Sequence, residues 1–227
     1  MSVDAPAPAT RLVLIRHGES NVTVRRVIGG HRTCDGLSEL GRRQAERLRR
    51  RLEETGELPA DVLISSNFAR AIETAEIIRP AFGDLALEID PRMGEHDPGP
   101  ELDGMSFTDY VERFGTPDWE NDAHAEMFPG GGETIAEFHL RVGAAVSQLV
   151  RAHAGSTIVV ACHGGVVDAT LRHLLRFPSV GGFALRTVNC SITEFAVPGT
   201  GPAALVRYND ASHLVGLPSA TSAPSPD

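Results

Sequence analysis

Four short apolar runs punctuate this chain, each bounded by polar or turn-forming residues: RLVLIR at 11–16, DVLIS at 61–65, TIVVAC at 157–162 and SITEFAV at 191–197. Their length and β-branched content predict buried strands. Weaker runs at 85–89 and 203–208 predict two more. Between the runs, apolar residues recur at helical spacing. Ser38 is placed to cap a helix over 39–54, with Leu40, Ala45, Leu48 and Leu52 on one stripe and Gly56 as its stop. Asn67 is placed to cap a second helix over 68–78. A third covers 135–153, with Phe138, Val142, Ala145, Val146 and Leu149 inward, and a fourth covers 165–175. Strands alternating with helices of these lengths predict an α/β fold, a parallel sheet covered on both faces. The Ala/Pro-rich stretch 1–10 and the Ser/Ala/Pro-rich stretch 217–227 are too poor in apolar residues to offset their ordering entropy. Both are expected to be disordered tails around a single domain over 11–216.

Composition narrows the function classes. The chain has 227 residues and a formal net charge of -9, which argues against general nucleic-acid binding because no excess of cations is available to displace phosphate counterions. All 21 basic residues are arginine, so an individual arginine matters by position and not by abundance. Cys34, Cys162 and Cys190 include no C-x-x-C pair and cannot all be bridged internally, and a cytoplasmic location is expected. No apolar run approaches the ~20 residues of a membrane helix, so no membrane association is expected.

The chemistry gathers at strand ends, where α/β sheets form their sites. Arg16 and His17 follow the first strand, 65–70 follow the second, and His163 with two glycines follows the third strong run. Arg70 falls in the first turn of its helix, where a cation is unfavourable unless an anion is bound. Each residue alone reads as an ordinary surface or structural position. Together, two imidazoles and two guanidiniums on one sheet edge suit phosphorus chemistry. A neutral imidazole can attack phosphorus, guanidiniums match its oxygens, and a second imidazole can hold an oxygen as charge spreads. A carboxylic acid must then protonate the departing oxygen. Glu95 is the leading candidate, and Asp97 competes by proximity. A metal reading would use His31, Cys34, His96, Asp97 and His163, but no pair has zinc-type spacing, and neither a metal nor a cofactor is expected.

The strings IRHGES, SSNFARAIETA, GEHDPGPELDGMS, PGGGETIAEFHLRV, VACHGG and NCSITEF occur in an order that resembles the histidine phosphatase superfamily, the phosphoglycerate-mutase-like proteins, over roughly residues 11–207. The resemblance implies a Rossmann-like three-layer α/β/α sandwich with a mostly parallel central sheet and no metal requirement. It implies that His17 is the phosphorylated nucleophile, that Arg16, Arg70 and His163 bind the phosphoryl group, and that Glu95 is the proton donor. Family members commonly carry Asn six residues after the nucleophile; here that place is Thr23, with Asn21 nearby, and either is a phosphate-binding candidate. The next loop is about one residue longer than the common pattern, which leaves Gly29 or Gly30 as the phosphate-contacting glycine. His31 and Arg32 in the same loop are substrate-binding candidates by position. Cys162, where Ser or Thr is common, reads as packing.

The branch is read from an inserted lid at about 96–130. It holds Asp97, Glu101, Asp103, Asp109, Glu112, Asp118, Glu120, Asp122 and Glu126 against a single Arg113. Such a lid should repel a second anionic group, which favours a phosphatase acting on a small phosphomonoester over a phosphoglycerate mutase. A non-catalytic phospho-ligand-binding regulatory protein on the same fold is the remaining alternative. The lid's apolar residues Met105, Phe107, Tyr110, Phe114, Trp119, Met127 and Phe128 form either a pocket wall or the lid's own small core. A homodimer through the last strands is an open possibility.

Overall fold

The computed structural model describes residues 8–116, 131–181 and 183–218. A six-stranded sheet runs in the order β3-β2-β4-β1-β5-β6, built from β1 (Thr10–Arg16), β2 (Val62–Ser65), β3 (Leu87–Ile89), β4 (Thr157–Cys162), β5 (Ile192–Val197) and β6 (Ala204–Asp210). The pairings β2–β3, β2–β4 and β1–β4 are parallel, while β5 runs antiparallel to both β1 and β6. Helices cover both faces: α2 (Glu39–Thr55) and α3 (Ala69–Ile78) on one, α5 (Ile135–Ala152) and α6 (Gly164–Leu175) on the other. The expected α/β sandwich with a mostly parallel sheet is the observed architecture.

β1 shows why its sequence is an unbroken apolar run rather than an alternating one. Leu12 and Leu14 pack with Phe138, Val142 and Val146 of α5 and with α6, whereas Val13 and Ile15 pack with Ala45, Leu48 and Leu52 of α2. All four β1 side chains are fully buried, as a central strand covered on two faces requires. Each contributes about 1.5–3 kcal/mol of burial free energy. Cys162 and Cys190 are also fully buried. Burial pushes both thiols upward, which fits packing and not redox chemistry.

Helix boundaries follow local chemistry closely. Ser38 caps α2 by accepting from Gly41 N at 3.0 Å, and Gly56 ends it at φ +59°. Thr134 and Glu137 form a reciprocal capping box at the start of α5. Asn67, by contrast, does not cap α3: the N-cap is Phe68, whose N–H reaches Ser66 Oγ at 3.3 Å. Two helices carried too weak a periodicity to be expected, the five-residue α1 (Asn21–Arg25) and α4 (Phe107–Phe114) within the lid. Residue 10 also departs from expectation, since Thr10 belongs to β1 and accepts from Gly155 N at 2.9 Å instead of lying in a tail.

In the lid, Leu102, Tyr110 and Ile135 form a small core with Ile28, Met105, Val111 and Val180. Tyr110 and Met105 therefore belong to the lid's own packing, while Phe107 and Phe114 remain partly exposed. Trp119, Met127 and Phe128, with Asp118, Glu120, Asp122 and Glu126, lie outside the described residues. The helix α2 and the loop after β1 meet backbone on backbone. A Cβ on Gly41 would overlap the Glu19 carbonyl oxygen, and one on Gly18 would lie 2.6 Å from the Gly41 oxygen. Gly41→Ala should accordingly cost about 1–3 kcal/mol in urea-denaturation midpoints. Arg47→Ala, on the exposed side of the same helix, should stay within about 0.5 kcal/mol.

Candidate active site

The parallel register of β1 and β4 pairs Arg16 with Cys162, so the next residues, His17 and His163, leave the sheet side by side. Their ring centroids are 5.1 Å apart in an edge-to-face arrangement. β2 lies on the other side of β4, with Ser65 opposite Ala161, and delivers Ser66 to the same edge. Both histidines are buried, His163 completely. Three neighbouring strand ends thus converge on one point.

Hydrogen bonds set the protonation of each ring. His17 Nδ1 lies 2.7 Å from the Gly18 carbonyl oxygen, which can only accept, so the proton sits on Nδ1 and the lone pair on Nε2. Arg70 Nε donates to that Nε2 at 3.2 Å. Asn189 Nδ2 holds the His17 carbonyl at 2.9 Å, and His17 N donates to the Cys162 carbonyl at 2.8 Å. On the second ring, Ser66 Oγ accepts from Phe68 N and stands 2.7 Å from His163 Nε2. With the hydroxyl donating to Nε2, the proton of His163 rests on Nδ1. That atom is buried and has no hydrogen-bond partner among the described residues.

Electrostatics keep both rings neutral. Burial first, then the charges of Arg70 and Arg16, hold His17 well below the ordinary histidine value. Burial, Arg70, His17 and Arg16 do the same to His163. Arg16 Nη1 donates to the Thr187 carbonyl, and its Nε is buried without a partner among the described residues. Arg70 Nη1 reaches the Gly29 carbonyl at 3.3 Å, and its guanidinium lies 4.5 Å from the centre of the Phe68 ring. Glu95 is tied to the turn after β4, accepting from Gly165 N at 3.2 Å and from its neighbour His96 N at 3.1 Å. Position 165 must be glycine for this approach, because a Cβ there would overlap the Glu95 carboxylate.

The remaining candidates divide. His31 stacks on Phe68 with centroids 3.9 Å apart and so stands beside Arg70 and His163. Gly29, through its carbonyl, touches Arg70; Gly30 instead donates to Asp103 Oδ1 at 3.0 Å. Arg32 is turned away onto Asp103, with its N–H on Oδ2 at 2.7 Å and its guanidinium on the carbonyl. Thr23 Oγ1 pairs with Ser20 Oγ at 2.9 Å, and the Asn21 side chain bonds Asp35, so both have other partners. Asp97 bonds through its own amide to Glu133 and through its carboxylate to Gly99.

Several contributors carried no separable signal in the sequence: Ser66, Thr187, Asn189, Asp103, Glu133 and Arg141. Asp103, one of the lid carboxylates, is buried and accepts from Gly30, Arg32 and Thr33 rather than facing the substrate side as a repelling charge. Glu19 fills a supporting place, its amide on Gln44 and its carboxylate receiving Ser38 Oγ at 2.7 Å. Among the described residues no three His, Cys, Asp or Glu side chains gather as metal ligands, and no helix is long and apolar enough to cross a membrane.

Residues 12–211 match the histidine phosphatase superfamily (branch 1). The chain belongs to that superfamily. It is 28% identical over 205 residues to phosphoglycerate mutase-like protein 4 of Arabidopsis thaliana, covering 89% of this chain and 86% of the relative. It is 30% identical over 196 residues to a metal-independent phosphoserine phosphatase of the same plant, covering 82% and 78%. Among solved structures, mycobacterial glucosyl-3-phosphoglycerate phosphatase superposes with a TM-score of 0.72 at 26% identity, covering 88% of this chain and 99% of that one. This is an enzyme of the histidine-phosphatase type.

The buried neutral imidazoles impose a sign on the stability of this histidine phosphatase. Below pH ~6.5 the unfolded chain protonates its histidines while the folded state does not, so stability falls as pH drops. Each of His17 and His163 should cost up to about 1.4 kcal/mol per pH unit across this range. Melting temperatures from pH 7.5 to 5 should decline, and the decline should be shallower in His163→Asn. An unchanged slope in that variant would show that His163 takes up its proton in the folded state.

Proposed function

We propose that this enzyme hydrolyses a small phosphomonoester through a phosphohistidine on His17. The observation that carries the reading is a buried imidazole with its lone pair on Nε2, flanked by Arg70, Arg16 and an unpartnered His163 Nδ1. Three donors able to receive phosphoryl oxygens therefore surround one unprotonated nitrogen. Burial makes them strong, because few waters compete for the same hydrogen bonds.

In the first half-reaction, the phosphate dianion draws Arg70 off Nε2 onto its oxygens, and the Nε2 lone pair attacks phosphorus. The ester P–O bond breaks as the N–P bond forms. Glu95 in its acid form gives its proton to the departing oxygen, releasing the alcohol. In the second half-reaction, Glu95 as carboxylate takes a proton from water. The resulting hydroxide attacks phosphorus, the N–P bond breaks, and inorganic phosphate leaves with the lone pair restored on Nε2. Throughout, the Gly18 carbonyl keeps the proton on Nδ1 and offsets the positive charge that develops on the ring. Arg16 and His163 hold the equatorial oxygens as charge spreads over them.

Two features support hydrolysis over transfer between two phosphorylated positions. The chain has no lysine, and Arg32, the nearest loop arginine, is engaged by Asp103. Relatives carrying phosphatase names agree with this reading. His17→Ala should lower kcat/KM on phosphomonoesters more than about a thousand-fold, and wild-type turnover should persist in chelator. An acid-stable or an alkali-labile label, in place of an alkali-stable, acid-labile phosphohistidine, would overturn the nucleophile. A phosphatase releases phosphate from 3-phosphoglycerate or phosphoserine without isomerising either; measurable isomerisation would move the chain to the mutase class.

A further inference from the structure

Arg141 lies in the sequence far from every strand end, on the side of α5, yet three of its five guanidinium N–H groups reach the loop that carries Glu95 and the other two reach Glu133, which bonds the same loop. Nε donates to Glu133 Oε1 at 2.6 Å and Nη2 to Glu133 Oε2 at 2.6 Å, a paired fork on one carboxylate. The other three donors take the carbonyls of Arg92 at 2.7 Å, Gly94 at 3.1 Å and Glu95 at 3.3 Å. Glu133 extends the clamp: its Oε2 receives Asp97 N at 3.1 Å, its carbonyl lies 2.6 Å from His96 Nε2, and its own N–H donates to the Asp97 carbonyl at 2.9 Å. Residues 92–97 are thus held on both sides of Glu95 by one ion pair.

The clamp stands on a rigid base. The capping box fixes where α5 begins, and Phe138 and Val142, on either side of Arg141, are buried in the core. The guanidinium also lies 5.2 Å from the centre of the Phe138 ring. Burial alone would raise the Glu133 carboxyl, but the hydrogen bonds and charge of Arg141 and the Asp97 amide pull it below its ordinary value. Glu133 therefore stays ionised at neutral pH.

We propose that Arg141, through Glu133, is a positioning residue that sets Glu95 for proton transfer to the leaving group. This rests on the reading of Glu95 as the proton donor. Lysine cannot replace the arginine, since one ammonium cannot span a carboxylate and three carbonyls at once.

Proton donation matters for an alkyl leaving group and hardly at all for p-nitrophenolate, which departs as a stable anion. The test is kcat/KM for an alkyl phosphomonoester and for p-nitrophenyl phosphate, measured on the same preparation of Glu95→Gln, Arg141→Met and Glu133→Gln. The ratio of the two rates does not depend on how much of a preparation is folded. Arg141→Met should lose about 100-fold on the alkyl ester and less than about 3-fold on p-nitrophenyl phosphate. Glu133→Gln should show the same selectivity to a smaller extent. In the Glu95→Gln background, Arg141→Met should add no further selectivity. Equal losses on both esters for Arg141→Met and Glu133→Gln, with Glu95→Gln selective, would overturn the positioning role alone. A Glu95→Gln enzyme without selectivity would instead overturn the proton-donor reading on which it rests.

Discussion

The parallel ladder between β1 and β4 carries the site. Because Arg16 and Cys162 are partners in that ladder, the two histidines that follow must emerge next to each other at the sheet edge. Their spacing is a property of backbone hydrogen bonds rather than of flexible side chains. A one-residue slip would turn one imidazole to the opposite face of the sheet. The fully buried residues on both faces of β1 and β4 make such a slip expensive, since every displaced Leu, Val or Ile would leave its helix layer.

On this frame, charge and burial work together. Two guanidiniums beside two buried imidazoles would repel each other if the rings were protonated, so the rings remain neutral and one nitrogen keeps its lone pair. The tautomer is chosen by a backbone carbonyl on one ring and a hydroxyl relay on the other. Neither choice needs an added ionisable group. The cost of holding arginines in so dry a place is met locally, by carbonyls of Thr187 and Gly29 and by the face of Phe68.

Outside the histidine pair, buried carboxylates and arginine forks hold the loops in place. Asp103 gathers the loop from Gly30 to Thr33, Arg141 with Glu133 gathers the loop around Glu95, and Arg172 gathers the carbonyls of Pro178, Gly181 and Phe183. The absence of lysine is consistent with this use, because a planar fork can address several acceptors at fixed angles and an ammonium cannot. Of the acids that look like a repelling surface in the linear sequence, Asp103 is instead a buried acceptor for the loop from Gly30 to Thr33.

Periodicity and local signals determined most of the architecture. Runs of β-branched residues marked the strands, Ser38 and Gly56 marked the ends of α2, and glycine-flanked histidines after strands marked the edge where chemistry belongs. These signals were legible because they depend on neighbours within a few residues. The destinations of Asn21, Arg32 and Asp103 were decided only by tertiary structure. For Asn21 and Arg32 the deciding partner is one that chain folding brings close: Asp35 for Asn21, and for Arg32 an Asp103 seventy-one residues away. The sequence could name Arg16, His17, Arg70, Glu95 and His163 as a set, but the pairing of β1 with β4 is what set His17 beside His163.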